Sequence, residues 1–215
     1  MASSNEETIQ PKILSEITMI CPDDWHHHLR DNEFLSLTSL CVQKQFLRAI
    51  IMPNLSPYPI TNVTKAISYK ERIKKSLPSG SSFIPLMTLF MTDQTSPSDI
   101  FEAYESKIIH GVKLYPCGAT TNSENGVTDI KKIHETLLTM QHVGMPLLLH
   151  GEVTDPTVDF FDREAVFVDT VLKDLILKYP TLRMVMEHVS TKKAVEFIQQ
   201  APDHVAGGNE KMFIS

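Results

Sequence analysis

No run in these 215 residues approaches 18 uncharged apolar positions, so the sequence offers no membrane-spanning helix. Cysteine is scarce: Cys21, Cys41 and Cys117 are an odd, scattered set with no C-x-x-C pair. That argues against a disulfide framework or a cysteine-based zinc site, and for a reducing compartment. Cations are not in excess; 20 Lys and Arg against 26 Asp and Glu leave a net charge of −6. Neither a nucleic-acid groove nor an anionic membrane surface is implied. The first 16 residues, MASSNEETIQPKILSE, hold no arginine and lack the apolar stretch of a secretory signal, and their glutamates speak against a transit peptide. They read as a short disordered leader on a cytoplasmic protein, in which the sequons at Asn54 and Asn62 carry no glycan.

What is present is ordinary globular material, 42% apolar and 21% charged, in a length that suits one sizeable domain. Near-continuous apolar runs recur at 17–21, 48–53, 83–91, 111–116, 146–151 and 183–189. Short runs apolar on both faces suit the buried strands of a parallel sheet. Between them, residues 33–46, 62–76, 98–108, 128–143, 159–179 and 191–200 have helical spacing, with starts at Asn62, Ser96-Pro97 and Thr128-Asp129. Six consecutive βα units of about 33 residues predict an α/β fold with right-handed crossovers. No G-x-G-x-x-G follows the first strand, which disfavours a dinucleotide-binding sheet. The unusual polar residues fall at strand ends, where a (β/α)₈ TIM-type barrel collects its chemistry. Eight units need roughly 250 residues. The expectation is therefore an incomplete barrel of about six units over 17–206, with residues 207–215 outside it.

The strongest local signal is Trp25-His26-His27-His28-Leu29-Arg30-Asp31, after the first apolar run. On an extended segment positions i and i+2 point the same way, so His26 and His28 converge while His27 faces elsewhere. Neutral imidazole is the commonest metal ligand near neutral pH; the other reading is an inconsequential surface cluster. Asn54 follows the second run, Lys113 lies inside the fourth, His150 ends the fifth and His188 ends the sixth. A lone strand-end histidine is more often a core residue, and a lone lysine can snorkel past apolar neighbours. Together they suggest one site. His110, His134, His142 and His204 read as solvated, Asp31 and Asp162 as packing or salt-bridging residues. Glu152 and Glu187 read either as orienting neighbours of ligands or as solvated or structural carboxylates.

These motifs, H-x-H-x-R, MPN, KLYP with ATTNS, LLLHGEV, FDRE and EHVST, resemble the dihydroorotases of the amidohydrolase superfamily, from about Pro22 to about Gln199. The resemblance implies a metal-dependent hydrolase that interconverts N-carbamoyl-L-aspartate and L-dihydroorotate in pyrimidine synthesis, often as a homodimer. It implies that His26 and His28 bind one zinc ion and His150 and His188 a second. Lys113, carbamylated by CO₂ to N6-carboxylysine, would bridge them, and Arg30 and Asn54 would hold the substrate carboxylate. A carbamate needs a neutral amine, which burial favours, and a guanidinium fork suits a carboxylate.

The family also uses an aspartate at the end of strand eight, within an Asp-Ser-Ala-Pro-His type motif, to move the proton, and the sequence holds no such motif. No residue is therefore assigned as catalytic. The resemblance breaks near Gly207, as a truncated or alternatively spliced product or a fragmentary gene model would. Unpaired edges on the first and sixth strands predict a poorly soluble, partly molten and hydrolytically feeble chain. The alternatives are an inactive product that binds metal or a partner, and a related cyclic-amide hydrolase such as a hydantoinase or allantoinase.

Overall fold

The computed structural model describes residue 16 and residues 18–208. The expected leader, apart from Glu16, and the tail from 209 onward lie outside the described residues. Seven parallel strands run in the order β1-β2-β3-β4-β5-β6-β7: Asp23–His27, Arg48–Ile51, Ile84–Phe90, Ile109–Leu114, Leu147–His150, Met184–Glu187 and Val205–Gly207. Each strand pairs with its sequence neighbour, so every crossover passes through a helix and every strand end reaches the same rim. The helices are α1 Leu35–Gln43, α2 Val63–Ser76, α3 Pro97–Ser106, α4 His134–Val143, α5 Arg163–Phe167, α6 Lys173–Lys178 and α7 Lys192–Gln200. This is a curled partial TIM-type barrel. Among the described residues no helix is long and apolar enough to cross a membrane.

Three expectations are corrected. The first strand is not 17–21: Met19 and Ile20 are exposed, and pairing begins at Asp23 opposite Arg48. The reason is electrostatic as well as steric, because Arg48 grips the Asp23 carboxylate with both Nε and Nη2 and sets the register. His26 and His27 therefore lie on the strand instead of after it. The sixth strand is not an edge, since β7 pairs with it from Met184↔Val205 to Met186↔Gly207. Three residues, Val-Ala-Gly, are too short to show a period. Lastly, the helix expected over 159–179 is broken: a 3₁₀ turn at Phe160–Asp162 leads into α5, and a π-helical segment at Val168–Leu172 separates α5 from α6.

The strands are as continuously apolar as a sheet covered on both faces requires. All four residues of β5 are buried, and so are the last four of β4, which include Lys113. Helix starts follow local chemistry. The Asn62 side chain accepts from the Lys65 N–H at 2.9 Å, and Ser96 and Asp99 form a reciprocal capping box with Pro97 at the first turn. α4 ends on Gly144 at φ +71°, a left-handed backbone that glycine enters without a Cβ penalty. Two histidines expected in solvent are not free of structure. His134 Nδ1 lies 2.7 Å from Tyr179 Oη, and His204, at the start of β7, is half-buried.

Candidate active site

The sequence brings its ligand candidates to one rim because each closes a parallel strand. His26 Nε2 and His28 Nε2 lie 3.1 Å apart. His27 turns away and places Nδ1 2.8 Å from Asp24 Oδ2. The His26 ring is 5.5 Å from His188, and His188 is 4.6 Å from His150, all in edge-on contacts. Four imidazoles from β1, β5 and β6 thus form one connected group. His188 sits just past β6 with φ at +44°, a left-handed conformation that a non-glycine residue holds only when its surroundings fix it.

Lys113 projects into this group from β4 and is fully buried. Its ammonium pairs with Glu187, the last residue of β6, and lies 4.9 Å from the Tyr115 ring centroid. Glu187 is itself buried, and its other oxygen is 3.1 Å from His26 Nδ1. Burial alone would raise the Glu187 carboxyl, but the Lys113 ammonium and His26 outweigh it and hold it at about 2. The histidines move the same way for another reason. Burial, reinforced by His26 and nearby Arg30, pushes His28 down to about 3. Burial and the Lys113 charge push His188 to about 2. His150 is lowered by burial, partly opposed by Glu152, whose carboxylate is 3.5 Å from its Nε2. At neutral pH these three rings are therefore uncharged, the form that donates a lone pair to a cation.

That donor set fits a borderline cation such as zinc in kind. Among the described residues no three His, Cys, Asp or Glu side chains are already grouped as a ready-made ion site. The rings pack against one another, and the lysine, unmodified, pairs with Glu187.

Arg30 and Asn54 flank the group differently. Arg30 is exposed and lines a cleft with Asp31, Leu55, Ser56 and Asn122. Its backbone is left-handed, φ +62°, and Tyr69 Oη donates to its carbonyl. Asp31 pairs with Arg72, as its packing reading expected. Asn54 is buried; its Nδ2 donates to Thr121 O at 3.1 Å, and its carbonyl accepts from Asn122 Nδ2 at 3.2 Å. Asn54 thus ties the β2 end to the 117–126 loop, and its Oδ1 has no hydrogen-bond partner among the described residues. Sequence reasoning passed over two groups. The Tyr115 hydroxyl is buried without a partner among the described residues, and burial raises it well above 10. Glu164, from the FDRE motif, binds the turn after β6; the motif was the available signal, and its neighbour Asp162 drew the attention.

No profile of a known protein family matches the chain. Curated relatives do. It is 57% identical over 185 residues to the dihydroorotase of Ralstonia pickettii, an alignment spanning 86% of this chain and 54% of the relative. It is 52% identical over 193 residues to that of Picosynechococcus, spanning 90% and 56%. Among solved structures, dihydroorotase from Campylobacter jejuni superposes with a TM-score of 0.78 at 38% identity, over 86% of this chain and 53% of that one. The Saccharomyces cerevisiae dihydroorotase, solved with 5-fluoroorotic acid, gives 0.77 at 30%, over 86% and 54%. L-hydantoinase from Arthrobacter aurescens, at 14% identity and 0.65, shares the fold alone. The chain is thus similar to dihydroorotases along most of its own length, and it spans about half the length of the curated relatives it matches.

Proposed function

We propose that this chain carries the metal-binding half of a dihydroorotase site, for the reaction that interconverts N-carbamoyl-L-aspartate and L-dihydroorotate. The supporting observation is the joint arrival of His26, His28, His150 and His188 at one rim around a fully buried lysine. In this reading His26 and His28 would hold one zinc ion and His150 and His188 a second, with Lys113, as its carbamate, supplying anionic oxygen ligands. Forming that carbamate from the ammonium would join the nitrogen to CO₂ and release two protons, ending the ion pair with Glu187. When bound, the two ions supply Lewis acidity to the cyclic amide and to water.

The chain's own groups do the rest. Arg30, exposed at the mouth, offers a planar fork to the substrate carboxylate. Asn54 holds the neighbouring loop through Nδ2, and its buried Oδ1 has no hydrogen-bond partner among the described residues. Burial keeps His150 and His188 uncharged and ready to ligate. No side chain in the 215 residues is assigned to shuttle the proton to the leaving nitrogen, a role typically worth about 10²–10⁴-fold. The second reading is metal binding with little or no turnover.

The test is zinc stoichiometry together with turnover on the purified chain, using dihydroorotate beside hydantoin and allantoin. Two zinc ions per chain and slow hydrolysis of dihydroorotate alone, abolished by Lys113→Ala, is the expected result. Two ions without turnover supports the second reading, and fewer than one ion per chain removes the metal site from both.

A further inference from the structure

Glu164 has no part in the roles above, yet its environment is the most heavily committed of any carboxylate at this rim. It lies on α5, only 5% exposed. Its two oxygens each accept from the Ser190 N–H at 3.1 Å; one accepts from the Thr191 N–H at 2.7 Å and from Thr191 Oγ1 at 2.6 Å, and the other from Ser190 Oγ at 3.2 Å. Thr191 Oγ1 then accepts from the Ala194 N–H at 3.2 Å and caps α7. One buried side chain from the fifth βα unit thereby takes every donor that the β6–α7 turn presents at Ser190 and Thr191.

Two residues before Ser190 stands His188, in a left-handed backbone conformation. Such a conformation is unfavourable for a non-glycine residue and persists only where the surroundings over-determine it. The preceding strand fixes one side of His188, through β5–β6 pairing that ends at His150↔Glu187. On the other side Val189 N–H donates to Gly208 O at 2.9 Å. A further hold on the turn is the Glu164 carboxylate. Only a group with acceptors on both oxygens satisfies four converging donors; a carboxamide would face some of them with its own N–H.

We propose that Glu164 is a positioning residue: it locks the 188–191 turn so that the His188 imidazole stays beside His150 and His26. This rests on reading His188 as a metal ligand. Groups that orient a ligand typically change metal affinity about 10–100-fold when removed.

The test uses the full chain and its variants Glu164→Gln and Glu164→Asp, with amide exchange at 188–191, zinc affinity by chelator competition, and the visible spectrum of the cobalt-loaded protein. Glu164→Gln is expected to speed exchange at Ser190 and Thr191, weaken zinc binding by about 10–100-fold and alter the cobalt spectrum. Glu164→Asp, which keeps the carboxylate, is expected to recover most of the affinity. Unchanged affinity and spectrum in Glu164→Gln overturn the proposal, as does equal damage from both variants. Should Glu164→Gln fail to fold, the pair Ser190→Ala and Thr191→Val removes two donors instead, and wild-type zinc affinity in that pair overturns it. Should the wild-type chain bind no metal, the metal reading fails separately. The His188 ring resonances then decide: a shift in Glu164→Gln with His110 unmoved supports the lock, and no shift ends it.

Discussion

At the scale of single residues, the most consequential contact is the buried pair between Lys113 and Glu187. Taking two charges out of water costs several kcal/mol each, and their attraction repays that only while both are present. Glu187 also reaches His26, so the pair is tied to the imidazole group. Removing one partner is predicted to be far worse than removing both. Glu187→Gln and Lys113→Met should each lower stability by about 3–5 kcal/mol, and the double change to Met at both positions should return a large part of it. Urea unfolding of the four chains reads this directly; a loss below about 1 kcal/mol in both single variants would contradict a desolvated pair. Lys113 was legible in the sequence because a cation inside an apolar run is unusual. Its partner was not, because Glu187 lies 74 positions away and a carboxylate beside a candidate ligand reads equally well as solvated. Pairing of this kind is decided by strand order, and only β4–β5–β6 adjacency makes it visible.

At the scale of elements, the 117–126 loop shows how a backbone contact limits sequence. Val127 N–H donates to Tyr115 O at 2.8 Å, Gly126 N–H to Ser123 O at 2.8 Å, and Cys117 N–H to Val127 O at 3.0 Å. A Cβ on Gly126 would lie 2.4 Å from Tyr115 O and 2.9 Å from Ser123 O, both backbone atoms that cannot rotate aside. Gly126→Ala is therefore predicted to force the loop open, losing about 1–3 kcal/mol and exposing 117–126 to protease. Limited proteolysis with thermal unfolding checks it, and wild-type resistance would mean that the loop tolerates the methyl group. The same scale explains what the sequence displayed. Runs such as 146–151 announced β5 because burial on both faces leaves no polar alternation. The run at 17–21 misled because apolar content alone does not pair a strand; the Asp23–Arg48 contact does. The long helix expected over 159–179 concealed its π-helical step at Val168–Leu172, since a one-residue widening of the ladder leaves almost no mark on a 3.6-residue period.

For the whole molecule, the governing fact is that the described sheet has two margins, β1 and β7, each paired on one side only among the described residues. Unpaired N–H and C=O groups on such margins are templates for another chain, and natural proteins guard them with charge, brevity or a covering segment. The β7 margin is three residues long and so partly guarded by brevity. Beside β1 the guard is weaker: Met19 is 70% and Ile20 91% exposed, and Trp25 is half in solvent, with Arg48 stacked 5.5 Å from its ring. The purified chain is therefore predicted to associate as its concentration rises, and to unfold over a broad range. Because Trp25 is the sole tryptophan and stands on this margin, its fluorescence should change with association before it changes with unfolding. Met19→Lys with Ile20→Lys places two cations beside the edge without touching the rim histidines, and should shift sedimentation toward the monomer. The Arg48 stack over Trp25 should survive in that variant, leaving its emission in dilute solution unchanged. A wild-type chain that sediments as a monomer across the concentration range and melts in one sharp transition would refute the open-edge account.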